Sequence, residues 1–402
     1  MSISGEDNTA FEFEGRWQDF VPIGITNALL TLVTLGFYRF WATTRERRYL
    51  WSKTRFIDDR LEWTGTGLEL FIGFIAAFFL LGIPLFILQL IAQGLIFQGQ
   101  AMVAGIAGIV VYLFLLCLAG FAVFRGLRYR LSRSYWHGIH GGSDNPGFAY
   151  GWSYLWKTVV GFIALGLLIP WSSTNLWKER WEAMSFGPHS FRSDPSWRPL
   201  MRRFALFYIA PLLFAGLGVW AGFSQNSEIG TGATDGSAMA AGFFIILFFL
   251  VLYIGLPLIA LIYYSAYMRE VIGSLHLSTL SFSFEARSKD WLLLMLGNLW
   301  LSVLALVIGF AGASVFGGIA ALGAIGTDGL GGLGFGTIAL IVLSFILPLM
   351  LVGPFVRYRN WSFFIRHLEA GGEINLDALT QSPTRELKQG EGLLDAFDMG
   401  AI

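Results

Sequence analysis

The sequence predicts an all-α polytopic membrane protein with about six transmembrane helices in three hairpins, plus two re-entrant or interfacial apolar segments. Mean hydropathy is +0.61 and charged residues make up 13% of the 402 residues, a balance typical of membrane proteins. All 27 Lys and Arg lie outside three apolar stretches, 68–124, 204–267 and 291–356. Each stretch is long enough for two helices of about 20 residues and a turn.

The distribution of cations predicts the orientation. A hairpin enters and leaves the membrane on the same side, so three hairpins place every Lys and Arg on one side. The positive-inside rule makes that side the cytoplasm. The opposite turns carry only the acids Glu228, Asp235 and Asp328. We therefore expect a multi-pass protein with both termini in the cytoplasm, and the polar, acidic start MSISGEDNTAFEFEG is not a cleavable signal peptide.

The six predicted spans follow from these stretches. Each pair surrounds a turn that is uncharged or acidic, and the turn of the third pair is rich in glycine. The spans are 68–91 and 101–124, then 204–223 and 240–267, then 291–312 and 336–356.

Two further apolar segments, 20–41 and 150–171, are the ambiguous elements. If both crossed the membrane, the cationic loop 172–203 would lie outside, against the charge bias. Re-entrant backbone is allowed where protein surrounds it, and both segments contain residues that suit broken helices. These are Pro22, Gly24, Asn27 and Gly36 in the first, and Lys157, Gly161, Gly166 and Pro170 in the second. Eight full spans are the alternative.

Internal repeats predict how the chain is divided. FEFEGRWQDF near the start matches FSFEARSKDW at an offset of 271, which also pairs Asn27 with Asn298. A second match, at an offset of 130, pairs Gly36 with Gly166 and Trp41 with Trp171. We divide the chain into an N-terminal segment 1–19, repeats at 20–145, 146–281 and 282–367, and a polar tail 368–402.

Arginines next to aromatic residues are the candidate binding groups. Twelve of the 15 Trp lie outside the cation-free stretches, which predicts a belt of Trp and Arg at the cytoplasmic interface. Arg can hold a phosphate through two hydrogen bonds, and such clusters attract anionic headgroups. The alternative is that they only set topology. The candidates are Arg45, Arg48, Arg128, Arg130, Arg357 and Arg359.

Other polar residues give weaker indications. Glu69 opens a span, where it could gate a proton or cation or serve as a helix-start acid paired with Arg60. His137 and His140, with Asp144, have the spacing of metal ligands but lack a fourth one. The single Cys117 cannot form an internal disulfide. We expect no metal, no cofactor and no catalytic residue.

The leading functional hypothesis is membrane transport or lipid handling. No acid or base lies in the middle of a predicted span, which fits lipid handling or a passive pore better than a coupled pump. The rival hypothesis is a non-transporting scaffold that binds partner proteins, and an enzyme ranks third. Expected partners are membrane lipids, anionic ones above all, and no nucleic acid. The glycine-rich stretch 309–336 suits close packing within the bundle or between the subunits of a homo-oligomer. A mobile outer turn is the alternative.

Several motifs occur in the order typical of one family. They are Phe11-x-Phe13, TLGFYRFWATTRERRYLWSKT at 34–54, RLEWTGTGLELFIGF at 60–74, RYRLSRSYWHGI at 128–139 and INLDAL at 374–379. The chain thereby resembles the bacterial YjgN-like inner-membrane family, a domain family of unknown function. The resemblance implies a bacterial inner-membrane location and transfers no activity, substrate or site residue.

Overall fold

The structure, a computed structural model, describes residues 10–213, 216–217, 243, 246–324, 334–372, 380–381 and 384. Most of them are helical. The helices are α1 Trp17–Val33, α2 Arg39–Ser52, α3 Gly67–Ala77, α4 Ile83–Phe97, α5 Ala101–Arg133, α6 Phe148–Ile163, α7 Ile169–Glu182, α8 Arg198–Phe204, α9 Leu256–Gly273, α10 Ser288–Ala324 and α11 Phe335–His367. The strands are β1 Phe11–Phe13, β2 Thr54–Phe56, β3 Asp59–Arg60, β4 Glu62–Trp63, β5 Ser134–Trp136, β6 Ile139–Gly142, β7 Ser185–Phe186, β8 His189–Ser193, β9 Leu275–Leu277, β10 Leu280–Phe284 and β11 Leu368–Gly371.

Four helical segments are long and apolar enough to cross a membrane: Ala101–Arg133, Ile246–Gly273, Ser288–Leu322 and Gly336–His367. At most 11% of their most apolar windows is buried, so these apolar side chains face outward, as contact with lipid requires. They contain the predicted spans 101–124, 291–312 and 336–356, and residues 246–267 of the predicted span 240–267. The membrane-protein class is thereby supported, whereas the count of six spans stays a prediction.

The other two predicted spans are less complete. The span 68–91 lies in α3 and α4, which are shorter apolar helices joined by a π-helical turn at Phe78–Gly82. The span 204–223 extends outside the described residues. The outer-turn acids Glu228, Asp235 and Asp328 and the motif at 374–379 lie outside them as well.

The ambiguous segments 20–41 and 150–171 form two helical hairpins, α1–α2 and α6–α7. In both, the chain reverses at a Leu-Gly pair with positive φ, Leu35-Gly36 and Leu165-Gly166, a conformation that glycine adopts without strain. Leu35 and Leu165 at the turns are 90% and 81% exposed. Of the residues expected to break these helices, only Gly36 and Gly166 lie at the break. Pro22 remains inside α1, and Lys157 remains inside α6.

A half-barrel of short strands makes the all-α prediction wrong in one respect. Strands β4 to β11 form one antiparallel sheet in chain order, and β1, β2 and β3 form a second. All these strands lie in the cation-bearing segments. Three of the long helices lead straight into a strand: β5 follows α5 and β11 follows α11 without a gap, and one residue separates β9 from α9. Strands of two to five residues carry too few side chains for an alternating pattern to be recognised. Because β11 pairs with β10, the first residues of the segment assigned as tail belong to this sheet.

Aromatic clusters join the helices to the sheet. In the first cluster, Trp51 stacks on Trp361 with ring centroids 4.0 Å apart and meets Trp63 edge-on. Of the Trp expected in an interfacial belt, Trp51, Trp63, Trp136 and Trp177 are instead buried in the core. Trp17, Trp41, Trp152 and Trp156, all on the two hairpins, are exposed. The belt is thus restricted to the hairpins, at least among these eight Trp.

Small residues set the closest helix contacts. A β-carbon on Gly120 of α5 would lie 2.3 Å from the β-carbon of Tyr154 in α6. Gly309 and Gly312 of α10 come similarly close to Phe345 and Ser344 of α11. The described start of the glycine-rich stretch therefore packs within the bundle, which is one of the roles considered from the sequence.

Candidate functional site

A cavity of about 240 Å³ lies between α1, α2, α3 and α11. Polar side chains and apolar ones share its wall. The polar lining residues are Asn27, Thr31, Arg39, Thr43, Glu46 and Arg357, and the others are Ala28, Phe40, Ala42, Leu70, Met350 and Pro354.

Helical periodicity explains why these residues meet. On α2, Arg39, Thr43 and Glu46 are spaced i, i+4 and i+7, which places them on one helix face. Met350, Pro354 and Arg357 repeat that spacing on α11. The α1–α2 turn folds the first helix back along the second and brings Asn27 beside Glu46. The site thus depends on three helix faces, two of which are adjacent in the sequence.

The Glu46 carboxylate is the electrostatic centre of the cavity. Its side chain is 2% exposed, and Arg357 donates to its Oε2 from Nε at 2.8 Å and Nη2 at 2.7 Å. Ionised hydrogen bonds of this kind are among the strongest in proteins. The Arg357 side chain is 39% exposed, so the cavity is open at this residue. With Arg39 also in the wall, two cations face one anion, and the lining carries one net positive charge.

Asn27 connects α1 to this centre. Its side-chain Nδ2 donates to the Ala42 carbonyl at 3.3 Å and to Glu46 Oε1 at 3.2 Å. The residue is 2% exposed. Because both of these partners are acceptors, the amide nitrogen must face them, and the orientation of the Asn27 side chain is fixed by the network.

The six arginines proposed from the sequence do not form one site, and only Arg357 lines the cavity. Arg45 and Arg48 are exposed on α2, and Arg48 donates to the Gly65 carbonyl at 3.4 Å. The other three donate to neighbouring groups: Arg128 to the Asn145 carbonyl at 3.2 Å, Arg130 to the Gly126 carbonyl at 3.3 Å, and Arg359 to Asn298 Oδ1 at 3.1 Å.

Glu69 lies at the start of α3, outside the cavity lining. It accepts hydrogen bonds from Arg133 at 2.7 Å and Tyr129 at 2.9 Å. The suggested pairing with Arg60 is wrong, because Arg60 binds Glu14 at 2.6 Å. Since both partners belong to α5 and Glu69 itself lies in the first turn of α3, its contacts join two helices. Whether it gates an ion remains a prediction.

Polar groups also occur at the positions of α6 and α10 that the two offsets pair with Asn27. Lys157 of α6 is 5% exposed and binds Glu179 of α7. Asn298 of α10 accepts from Arg359 and donates to Asn360 at 2.9 Å. At both positions, the side chain of Lys157 or Asn298 binds neighbouring side chains.

Sequence reasoning missed Glu46 and Arg39 as site residues. Both lie in the cationic segment RFWATTRERRYLWSK, where the number of charges conceals which side chain turns inward. The spacing of Arg39, Thr43 and Glu46 is a signal that could have shown a polar helix face. Asn27 was noted as a polar residue in an apolar segment, but its partner could not be read from the sequence.

Among the described residues, no group of three His, Cys, Asp or Glu could hold a metal ion. His137 instead contacts the carboxylates of Asp58 at 3.0 Å and Asp59 at 3.7 Å, on the sheet.

Comparison with known proteins identifies a family. The inner membrane protein YjgN of Salmonella typhimurium (strain LT2) is 28% identical over 142 residues, which make up 35% of this chain and 33% of that protein. The match therefore spans about a third of the length of this relative. No solved structure matches the chain. The family described as bacterial protein of unknown function (DUF898) matches residues 8–396. The resemblance to YjgN-like proteins is thus confirmed, and the chain belongs to this DUF898 family.

Proposed function

We propose that this protein is a multi-pass protein of the bacterial inner membrane that handles lipid, and that the cavity between α1, α2, α3 and α11 binds the phosphate of a lipid headgroup. The inner-membrane location follows the name of its relative. The termini and the cationic sheet face the cytoplasm in this proposal, as the charge bias suggests. We also infer that the α1–α2 and α6–α7 hairpins are internal repeats, with α2 and α7 starting 130 residues apart.

The observation that carries the proposal is a small cavity within an apolar bundle that has Arg39 and Arg357 in its wall. Small-molecule pockets usually measure about 300–1,000 Å³, so a cavity of about 240 Å³ suits a headgroup and excludes its acyl chains. Those chains have a place on the outward apolar faces of the helices. The exposed Leu35 and Trp41 on the same hairpin supply lipid and interface contacts.

The arginines outside the cavity have a different part in this proposal. Arg45 and Arg48 are exposed on α2, where they add to the field that attracts headgroups, at about 1 kcal/mol for each charge near an anionic surface. Arg128 and Arg359 hold neighbouring elements together through the hydrogen bonds described above, whereas Arg130 donates to Gly126 on its own helix. Lipid handling of this kind requires no movement of ions.

Native mass spectrometry of the protein extracted with its surrounding lipids tests the proposal. We expect one phospholipid retained per chain in the wild type and in the control Arg60→Gln, whose side chain is on the surface sheet. The variant Arg39→Gln loses this lipid because it removes one of the two arginines in the lining and leaves the pair of Glu46 and Arg357 in place. Equal retention in all three proteins, or lipid lost evenly with collision energy, contradicts the proposal and favours a scaffold.

A further inference from the structure

We infer a second lipid site in the groove between α10 and α11, where Arg359 binds the phosphodiester of a membrane phospholipid. This site is separate from the cavity between α1, α2, α3 and α11, and it does not depend on the function proposed for that cavity. It is carried by hydrogen-bond donors of Arg359 and Asn360 that the protein leaves open.

The Arg359 guanidinium has four open N–H donors. Its Nε donates to Asn298 Oδ1 at 3.1 Å, and within the part of the chain that the structure describes its Nη1 and Nη2 donate to no acceptor and pair with no carboxylate. Both Nη atoms are accessible rather than buried. The positive charge of Arg359 is thus bound only by a neutral amide, and its outer donors face a space that a ligand can reach.

Asn360 adds open donors beside Arg359. Because a guanidinium can only donate, Asn298 must present its oxygen to Arg359. The Asn298 nitrogen then donates to Asn360 Oδ1 at 2.9 Å. This chain of hydrogen bonds fixes both amide orientations and leaves the Asn360 nitrogen without an acceptor among the described residues. The polar groups left open by these contacts are therefore mainly donors.

Gly297 lets the Arg359 side chain lie against α10. A β-carbon at this position would overlap Nη2 and lie 2.7 Å from Cζ of Arg359. Helical side chains lean toward the N-terminus of their helix, which in α11 points away from the sheet that follows its C-terminus. The guanidinium is therefore held beside the predicted span 291–312, where Gly297 lies about 9 Å along the helix axis from the start of the span.

A negatively charged acceptor is required at this depth. A cation next to an apolar layer is costly unless an anion or polar groups surround it, and Asn298 is neutral. A ligand that only accepts hydrogen bonds matches the open donors. A phosphodiester has that chemistry, and a guanidinium can bind it through two parallel hydrogen bonds. Phospholipids bring this group to the boundary of the hydrocarbon layer.

An apolar row on α10 has room for the acyl chains. Trp300, Leu304 and Val307 follow Gly297 at i+3, i+7 and i+10, which places them on one helix face. They are 66%, 42% and 57% exposed, so the acyl chains can lie along them while the phosphate contacts Arg359. The groove is open to the bilayer along this row. Its lipid therefore exchanges readily and is not retained on extraction as the cavity lipid is.

Photocrosslinking of the wild-type full-length protein tests the inference. The protein is delipidated in dodecyl maltoside, an uncharged detergent without phosphate. It is titrated with phosphatidylglycerol carrying a diazirine in one acyl chain, or with a diacylglycerol that has the same chains and no phosphate. Peptide mass spectrometry locates the crosslinks. On residues 293–307 we expect half-saturation at a concentration at least about tenfold lower for phosphatidylglycerol, because hydrogen bonds to a charged group hold only this probe.

Two matched pairs of variants identify the groups responsible. Arg359→Gln should abolish the preference for phosphatidylglycerol, whereas Arg366→Gln, which removes an exposed arginine of the same helix, should change it less than about twofold. Gly297→Ala keeps the charge but displaces the guanidinium, so it should also weaken the preference. Gly318→Ala is its control, because a β-carbon on Gly318 of α10 meets nothing within 4 Å.

Three outcomes overturn the inference. They are equal half-saturation by the two probes on residues 293–307, an undiminished preference in Arg359→Gln, and displacement of the probe by free sn-glycerol 3-phosphate at the concentration at which phosphatidylglycerol displaces it, which would assign the groove to a soluble phosphate. None of them bears on the cavity, which Arg39→Gln tests independently. The comparison of the two probes on the wild type needs no variant and decides the question even if Arg359→Gln does not fold.

Discussion

Replacing Arg357 with Gln should destabilise the protein, because it leaves the Glu46 carboxylate buried without a cation. The Glu46 side chain is 2% exposed and the Arg357 side chain is 39% exposed. Removing one partner of a fully buried pair costs about 3–5 kcal/mol. Since solvent reaches the arginine end and screens the pair, we expect the unfolding free energy to fall by about 2–3 kcal/mol.

A second substitution, Glu46→Gln, shows how much of this loss comes from the unpaired carboxylate. In Glu46→Gln/Arg357→Gln the buried charge is gone, and the amide oxygen introduced at position 46 can still accept from Asn27. We expect this double variant to lose only about 1–2 kcal/mol, less than Arg357→Gln alone. Arg60→Gln is the control, because the Arg60 side chain is 56% exposed in its pair with Glu14 and surface pairs contribute about 0–1 kcal/mol.

Thermal unfolding in detergent, followed by tryptophan fluorescence, measures these differences. An unfolding entropy of about 2.1 cal/mol/K per residue gives, for a chain of this length, a shift of about 1 °C for each kcal/mol. Arg357→Gln should therefore lower Tm by about 2–3 °C, and Glu46→Gln should recover part of that loss. If the double variant loses the sum of the two single changes, the side chains are not coupled and our account of the cavity is wrong.

Three further predictions test the packing, the sheet and the hairpin. Gly120→Ala should lower the unfolding free energy by about 1–3 kcal/mol in denaturant titrations, because the added β-carbon collides with α6. Gly105 on the same helix faces open space, so Gly105→Ala should be neutral or slightly stabilising. Equal effects of the two substitutions would refute this packing. Burial and a nearby carboxylate raise the pKa of Glu369, so ionisation of this side chain opposes folding as pH rises. Glu369→Gln should therefore raise Tm above that of the wild type near pH 7 but not near pH 4. An equal gain in Tm at both pH values would contradict the raised pKa. In a Cys117→Ser background, Gln98→Cys should react with an impermeant maleimide from outside the cell. Leu35→Cys should not react from either side if the tip of the α1–α2 hairpin ends in lipid, as we expect. Labelling of Leu35→Cys from outside would indicate a full span.

The long apolar helices could be predicted from the sequence because membrane insertion depends on the composition of about 20 consecutive residues. The windows 101–124, 291–312 and 336–356 each fall within a single helix of the structure. The breaks in the apolar segments were predictable in part. Gly36 and Gly166 mark them because positive φ favours glycine, but Pro22 does not, since α1 continues through it.

The half-barrel and the roles of the charged residues could not be predicted in this way. A two-residue strand such as Glu62–Trp63 is specified by its pairing with Ser134 and Tyr135, far along the chain. Trp is typical of an interfacial belt, yet tertiary contacts bury Trp51 and Trp136.

By itself, the sequence determined the apolar helices, the confinement of Lys and Arg to the segments between them, and the family to which the chain belongs. Only the tertiary structure decided which charges form a site. Arg357 meets Glu46 across 311 positions, and no local pattern distinguishes it from Arg359, which binds Asn298 instead. The reason is physical, because hydropathy adds up along a continuous segment, whereas a polar cavity depends on which helix faces pack together.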